Sequence, residues 1–153
     1  MSQVITTRLA EKGLTLPSPA AAVANYVSAV RSGTHVWVSG QLPMRDGELL
    51  SLGAVGAEVS VADAVRCAEL CALNALAAVG TVAELSSVVR VVRVGVFVSS
   101  RPGFDQHAIV ANGASDVMIA AFGDAGRHAR AATGASSLPL GAPVEVELLV
   151  EVG

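Results

Sequence analysis

The chain has 153 residues, of which 52% are hydrophobic, only 3% aromatic and 15% charged, with a net charge of −3. That is long enough for one domain to bury a core without disulfides or metal, and the core must be built from Ala, Val and Leu. Ten basic residues, all arginines except Lys12, are scattered along the chain, so the basic face that nucleic-acid binding requires is not expected. So few charges leave apolar surface over, which points to a homo-oligomer.

The N-terminal segment contains Arg8, Glu11 and Lys12 and has no apolar stretch of the signal-peptide kind. It reads as a helical turn or two ending at Gly13. With no apolar run long enough to span a membrane, the protein is expected in the cytoplasm, with no membrane partner. Leu16-Pro17-Ser18-Pro19 is a rigid connector, since closely spaced prolines exclude a helix. Residues 1–19 are expected as an extension before a single domain spanning 20–153.

Apolar residues alternate over 26–30, and a turn follows at Arg31-Ser32-Gly33. Alternation resumes over 34–39, with Val36 and Val38 on one face and His35 and Trp37 on the other. The two runs predict a β-hairpin. Asp46-Gly47 marks a second tight turn, and residues 53–59 read as loop. Ser60 then stands where a helix N-cap belongs, with Asp63 in the first turn. The apolar spacing Val61, Val65, Ala68, Ala72, Leu76 predicts a helix over 61–78, stopped by Gly80. Cys67 and Cys71 fall on one side of it, four residues apart, and read as buried free thiols rather than a disulfide.

Residues 88–98 are so rich in valine that a central, buried strand is expected. Arg101-Pro102-Gly103 breaks the pattern. Asp105 or Ser115 is expected to cap a second helix ending near Phe122-Gly123. Arg130 follows at the end of a small-residue loop, then a Leu138-Pro139 corner. The last strand, Val144–Val152, alternates throughout, with Glu145, Glu147 and Glu151 on its polar side. The predicted order is ββ(β)αβαβ, an α+β single domain with two helices packed on one face of a mixed sheet.

Few residues carry chemistry. An arginine fork suits a carboxylate, to which it donates two parallel hydrogen bonds, so Arg130 is a candidate anchor. Glu145 is a candidate for moving a proton or orienting water, although alternation alone does not separate it from Glu147 and Glu151. His35, His107 and His128 lack metal-ligand spacing, and no P-loop or nucleophile elbow is present. No metal site is expected.

Several motifs resemble, in order, the RidA/YjgF family, also called L-PSP endoribonuclease-like. They are Tyr26-Val27, Val38-Ser39-Gly40-Gln41-Leu42-Pro43, Val96-Phe97-Val98, Asn112, and Arg130 followed eight residues later by Leu138-Pro139 and then Val144-Glu145-Val146-Glu147. The resemblance runs over residues 20–152. It implies the chorismate-mutase-like fold and a homotrimer with clefts between subunits. It also implies a cofactor-independent deaminase that hydrolyses 2-enamine and 2-imine acids to 2-keto acid and ammonia. In that reading Arg130 holds the substrate carboxylate and Glu145 orients the water. Tyr26, Ser39, Gly40 and Asn112 line or support the pocket. The alternative is a non-catalytic trimer that binds small carboxylates or keto acids. The family commonly carries serine and then cysteine after the arginine, where this chain has Ala131 and Ala132.

Overall fold

The computed structural model describes residues 2–22 and 24–153. The chain opens with α1 (Ser2–Ala10), then a hairpin of β1 (Ala29–Ser32) and β2 (His35–Gln41). Its register pairs Ser32 with His35, leaving Gly33-Thr34 as a two-residue turn. The strand starts later than expected, so Tyr26 precedes it, exposed to solvent. A small second hairpin, β3 (Met44–Arg45) and β4 (Glu48–Leu49), turns at Asp46-Gly47. Both turn residues have positive φ, 53° and 82°, as a type I′ turn demands.

Helix α2 (Val61–Val79) begins as predicted, with the Asp63 amide donating to Ser60 Oγ at 3.1 Å. β5 (Val88–Ser99), α3 (His107–Phe122), β6 (Ala129–Ala135) and β7 (Val144–Val152) complete the chain. The five-stranded sheet has the order β1-β2-β7-β5-β6, antiparallel except where α3 crosses over to set β6 parallel to β5.

Two expectations need correction. The small-residue loop ending at Arg130 is in fact the edge strand β6 and contains Arg130. Ala-Arg-Ala-Ala-Thr-Gly-Ala has almost no β-branched signal, so its strand state comes from seven residue pairs with β5, Arg93–Ala129 through Ser99–Ala135. Neither Asp105 nor Ser115 caps α3. The cap position is Gln106, which makes no side-chain capping bond, and Ser115 lies mid-helix.

Helix α2 lies over β2 and β7, α3 over β5 and β6, and the two helices pack on each other. Beneath them Val91, Val94, Val96, Val98, Val144, Val146, Val150 and Val152 are buried. The expected pair of helices on one sheet face is therefore present. α1 rests on α3, adding Ile5 and Leu9 to the same core, and Arg8 Nη1 donates to the Ala121 carbonyl at 3.3 Å.

Among the described residues no helix packs on the other sheet face. β5 is buried on the helix side at Val94, Val96 and Val98. On the open side Gly95 and Ser99 are buried, Phe97 is half-buried and Arg93 is exposed; Val89, near the strand's start, is exposed too. Valine richness alone does not distinguish a strand covered on both faces from one covered on one. Trp37, which pairs with Leu149 on this open face, is 57% exposed. Cys67 and Cys71 are free and buried, and burial pushes both thiols above their ordinary pKa. Among the described residues no helix is long and apolar enough to cross a membrane. No group of three metal-ligating side chains occurs among them.

Candidate functional site

Strand register sorts the candidate residues onto two faces. Arg130 pairs with Val94, which in turn pairs with Leu148. Val94 and Leu148 are buried under the helices, and paired residues in a sheet point the same way. Arg130 accordingly faces α3, where Nη1 donates to Asn112 Oδ1 at 2.8 Å and to Ser115 Oγ at 3.1 Å. Asn112 and Ser115 lie three apart on α3, hence on one helical face. Asn112 was expected near the pocket and does meet Arg130. Ser115 was expected only as a possible cap, yet it is the second acceptor.

Both partners of Arg130 are neutral. The ion pairs among the described residues are Arg93–Glu147 at 2.7 Å and Arg127–Asp124 at 3.3 Å. No carboxylate there neutralises Arg130, which remains solvent-accessible at the sheet edge.

Glu145 pairs with Phe97 and looks onto the open face. It is partly buried, and burial raises its carboxyl above the ordinary value, with the neighbouring Glu147 adding to the effect. Alternation places both glutamates on one side, but Glu147 is held in an ion pair by Arg93 and Glu145 is not.

Ser39 and Gly40 form a bulge. Between the pairs Val38–Leu148 and Gln41–Val146, β2 has one residue more than β7. The bulge brings the Gly40 backbone under Glu145: a Cβ at position 40 would overlap Glu145 Oε1 and stand 2.8 Å from the carboxyl carbon. A side chain at position 40 would displace that carboxylate from where it lies. Ser39 Oγ donates to the Val27 carbonyl at 2.7 Å, fixing the segment directly after Tyr26. Downstream, Asn74 Nδ2 donates to the Leu42 and Met44 carbonyls, both at 3.0 Å. That buried asparagine on α2 secures the end of the Ser39–Pro43 segment. A lone polar residue inside an apolar helical stripe was its sequence signal.

The candidates thus fall into two half-sites. Arg130, Asn112 and Ser115 lie on the helix side at the β6 edge. Glu145 and Gly40 lie on the open face, with Ser39 holding the strand that leads to them. Within one chain the sheet separates the arginine from the glutamate.

Residues 6–152 match the family described as "YjgF/chorismate mutase-like, putative endoribonuclease". The chain belongs to the YjgF/RidA family. Its fold is the chorismate-mutase-like fold of that family. The protein TCP17 of Trypanosoma cruzi is 43% identical over 150 residues, covering 97% of this chain and 94% of that protein. The crystal structure of Atu1372 from Agrobacterium tumefaciens, a protein of unknown function, superposes with a TM-score of 0.91 at 47% identity, covering 99% of this chain and 95% of the other. A Shewanella oneidensis structure described as "a putative endoribonuclease" gives the same TM-score of 0.91 at 33% identity, covering 97% of this chain and 99% of the other. Each of these three similarities covers 97% or more of this chain.

Proposed function

We propose that the protein hydrolyses reactive 2-enamine and 2-imine acids, of the 2-aminoacrylate and 2-iminopropanoate type, to a 2-keto acid and ammonia. The observation that carries this reading is Arg130, an accessible guanidinium held in place by two neutral acceptors and paired with no carboxylate of the described residues. Its charge is available to an anion from outside, and a planar carboxylate fits its fork.

Glu145 supplies the proton chemistry. Burial raises its carboxyl above the ordinary value, which makes its carboxylate a stronger base than an exposed one. As carboxylate it orients a water whose oxygen adds to the imine carbon and takes up that water's proton. It returns that proton to nitrogen to give the carbinolamine. It then takes the hydroxyl proton and passes it to nitrogen as the C=O bond forms, the C–N bond breaks and ammonia leaves. The reaction consumes only water, and the imine is already electrophilic, so positioning and electrostatics provide the acceleration.

Because the sheet separates Arg130 from Glu145, the reading requires a second copy. The edge of one subunit, with Arg130 and Asn112, lies against the open face of the next, with Gly40, Glu145 and Tyr26. The uncovered sheet face and exposed Trp37 support such an assembly, a homotrimer with clefts between subunits. The second reading is a carboxylate-binding trimer without turnover. Ala131 and Ala132, which follow Arg130, favour it because neither side chain can hydrogen-bond.

An amino-acid oxidase generating 2-imino acids, with semicarbazide competing for the imine, separates the two readings. The deaminase lowers semicarbazone formation, and Arg130→Ala and Glu145→Gln each restore it. A folded assembly that changes the yield from no imine overturns the enzyme reading in favour of the binding one.

A further inference from the structure

Behind the Arg130–Ser115 bond runs a line of hydrogen bonds, through His128 to Gly126, that the chemistry above does not use. Arg130 Nη1 reaches Ser115 Oγ at 3.1 Å, and Ser115 Oγ lies 2.9 Å from His128 Nε2. His128 Nδ1 lies 2.6 Å from the Gly126 carbonyl oxygen. Ser115 is only 9% exposed, so its hydroxyl depends on these partners rather than on solvent.

The direction of every bond follows from its ends. A carbonyl only accepts, so His128 Nδ1 has the proton. The neutral imidazole then presents Nε2 as an acceptor, and the Ser115 hydroxyl donates to it. That turns the Ser115 lone pairs toward Arg130, which can only donate. The other neutral tautomer would set the Nδ1 lone pair against the carbonyl oxygen. The line is anchored in backbone. Gly126 closes the 3-10 turn Gly123–Gly126, which folds back on α3 so tightly that a Cβ there would overlap the Met118 carbonyl oxygen.

One consequence bears on the ligand. Nη1 has two hydrogens, and Asn112 Oδ1 and Ser115 Oγ take both. An end-on grip through Nη1 and Nη2 is thereby excluded. The edge formed by Nη2 and Nε remains for a bidentate carboxylate.

We propose that His128, acting through Ser115, is the positioning residue that turns Nη1 of Arg130 inward and presents its Nη2/Nε edge to the ligand. This rests on the reading of Arg130 as the carboxylate anchor. Ser115→Ala removes one acceptor and the link to His128, so the guanidinium gains freedom it must lose again on binding. The loss falls on ligand affinity rather than on the bond-breaking step.

The test has two arms. In protein labelled with 15N-histidine at about pH 8.5, where ordinary imidazoles are neutral, long-range proton–nitrogen correlation should show His128 protonated at Nδ1 and bare at Nε2. His128→Gln assigns the signal. In the second arm, calorimetry with pyruvate and imine turnover are measured together. Ser115→Ala should raise both the pyruvate Kd and the imine KM on the order of tenfold, the scale of one charge-assisted hydrogen bond, while kcat holds and Ser115→Thr restores affinity. A His128 protonated at Nε2, or pyruvate affinity unchanged in Ser115→Ala, overturns the proposal and leaves the anchor reading standing. Wild-type protein that binds no pyruvate overturns the anchor reading, and this one with it.

Discussion

A guanidinium offers five N–H donors in one plane, and Arg130 gives two of them to Asn112 and Ser115. Lysine at this position has three donors on a point charge and cannot fill both internal acceptors while also gripping a carboxylate in two places. Arg130→Lys should therefore raise KM by roughly tenfold to a hundredfold, the range for hydrogen bonds to charged groups, with melting temperature nearly unchanged because the site is exposed. Steady-state kinetics beside a thermal melt will show whether affinity and stability separate in this way. Glu145 makes the opposite demand. Burial raises its carboxyl in the fold, so the folded state holds its proton better than the unfolded chain does. The associated stabilisation is full below the unfolded pKa and is lost as pH rises through the folded one. Glutamine cannot ionise, so Glu145→Gln should melt above wild type at neutral pH, the two curves converging in acid. The difference will be small, since the carboxyl is partly exposed. Melts across the pH range would show it, and a Glu145→Gln protein less stable than wild type at neutral pH would contradict it. Arg130 and Glu145 stand out as candidates in the sequence through their motif. Ser115 and His128 do not, because thirteen residues and a helix-to-strand transition separate two side chains that share one hydrogen bond.

Helices α2 and α3 approach each other through small residues. A Cβ added at Gly113 would overlap the Val65 carbonyl oxygen and stand 3.2 Å from Ala68 Cβ. Gly113→Ala should destabilise the fold by about 1–3 kcal/mol, as overpacking of a close-packed interior does, and chemical denaturation will measure it. The loss would reach the site, because α3 also presents Asn112 and Ser115. Helix α2, the Asp46-Gly47 turn and β7 were readable because period, cap and turn residues agreed within each segment. The first turn, expected at Arg31-Ser32-Gly33, falls instead at Gly33-Thr34, with Arg31 and Ser32 inside β1. β7 buries every second residue from Val144 to Val152, as its alternation predicted. β6 was not readable, since its small residues specify no strand by themselves and pair only because β5 lies alongside. The late start of β1 has the same origin: residues 26–28 alternate but lie outside the register with β2.

At the scale of the whole molecule, one sheet face carries the helices and the other carries Trp37 and Leu149 beside Glu145. The proposed assembly covers that face and joins the two half-sites. Trp37→Glu places a charge at its centre, and sedimentation should then report a smaller species. Because the chain has a single tryptophan, wild-type fluorescence should also shift to the red as dilution separates the subunits. Imine turnover should fall with the assembly. A monomeric Trp37→Glu protein with full turnover would rule out a site shared between copies.

By itself the sequence determined the α+β class, the hairpins, the capped helix and the alternating last strand, since each depends on neighbours within a few residues. Its motifs also named the arginine and the glutamate. Tertiary structure alone decided that Arg130 sits in an edge strand and that Gly40 lies beneath Glu145. It also set the arginine and the glutamate on opposite faces of one sheet. Those facts depend on strand register and on a bulge. A shift of one residue in register turns every side chain to the other face, and only pairing between distant strands fixes it.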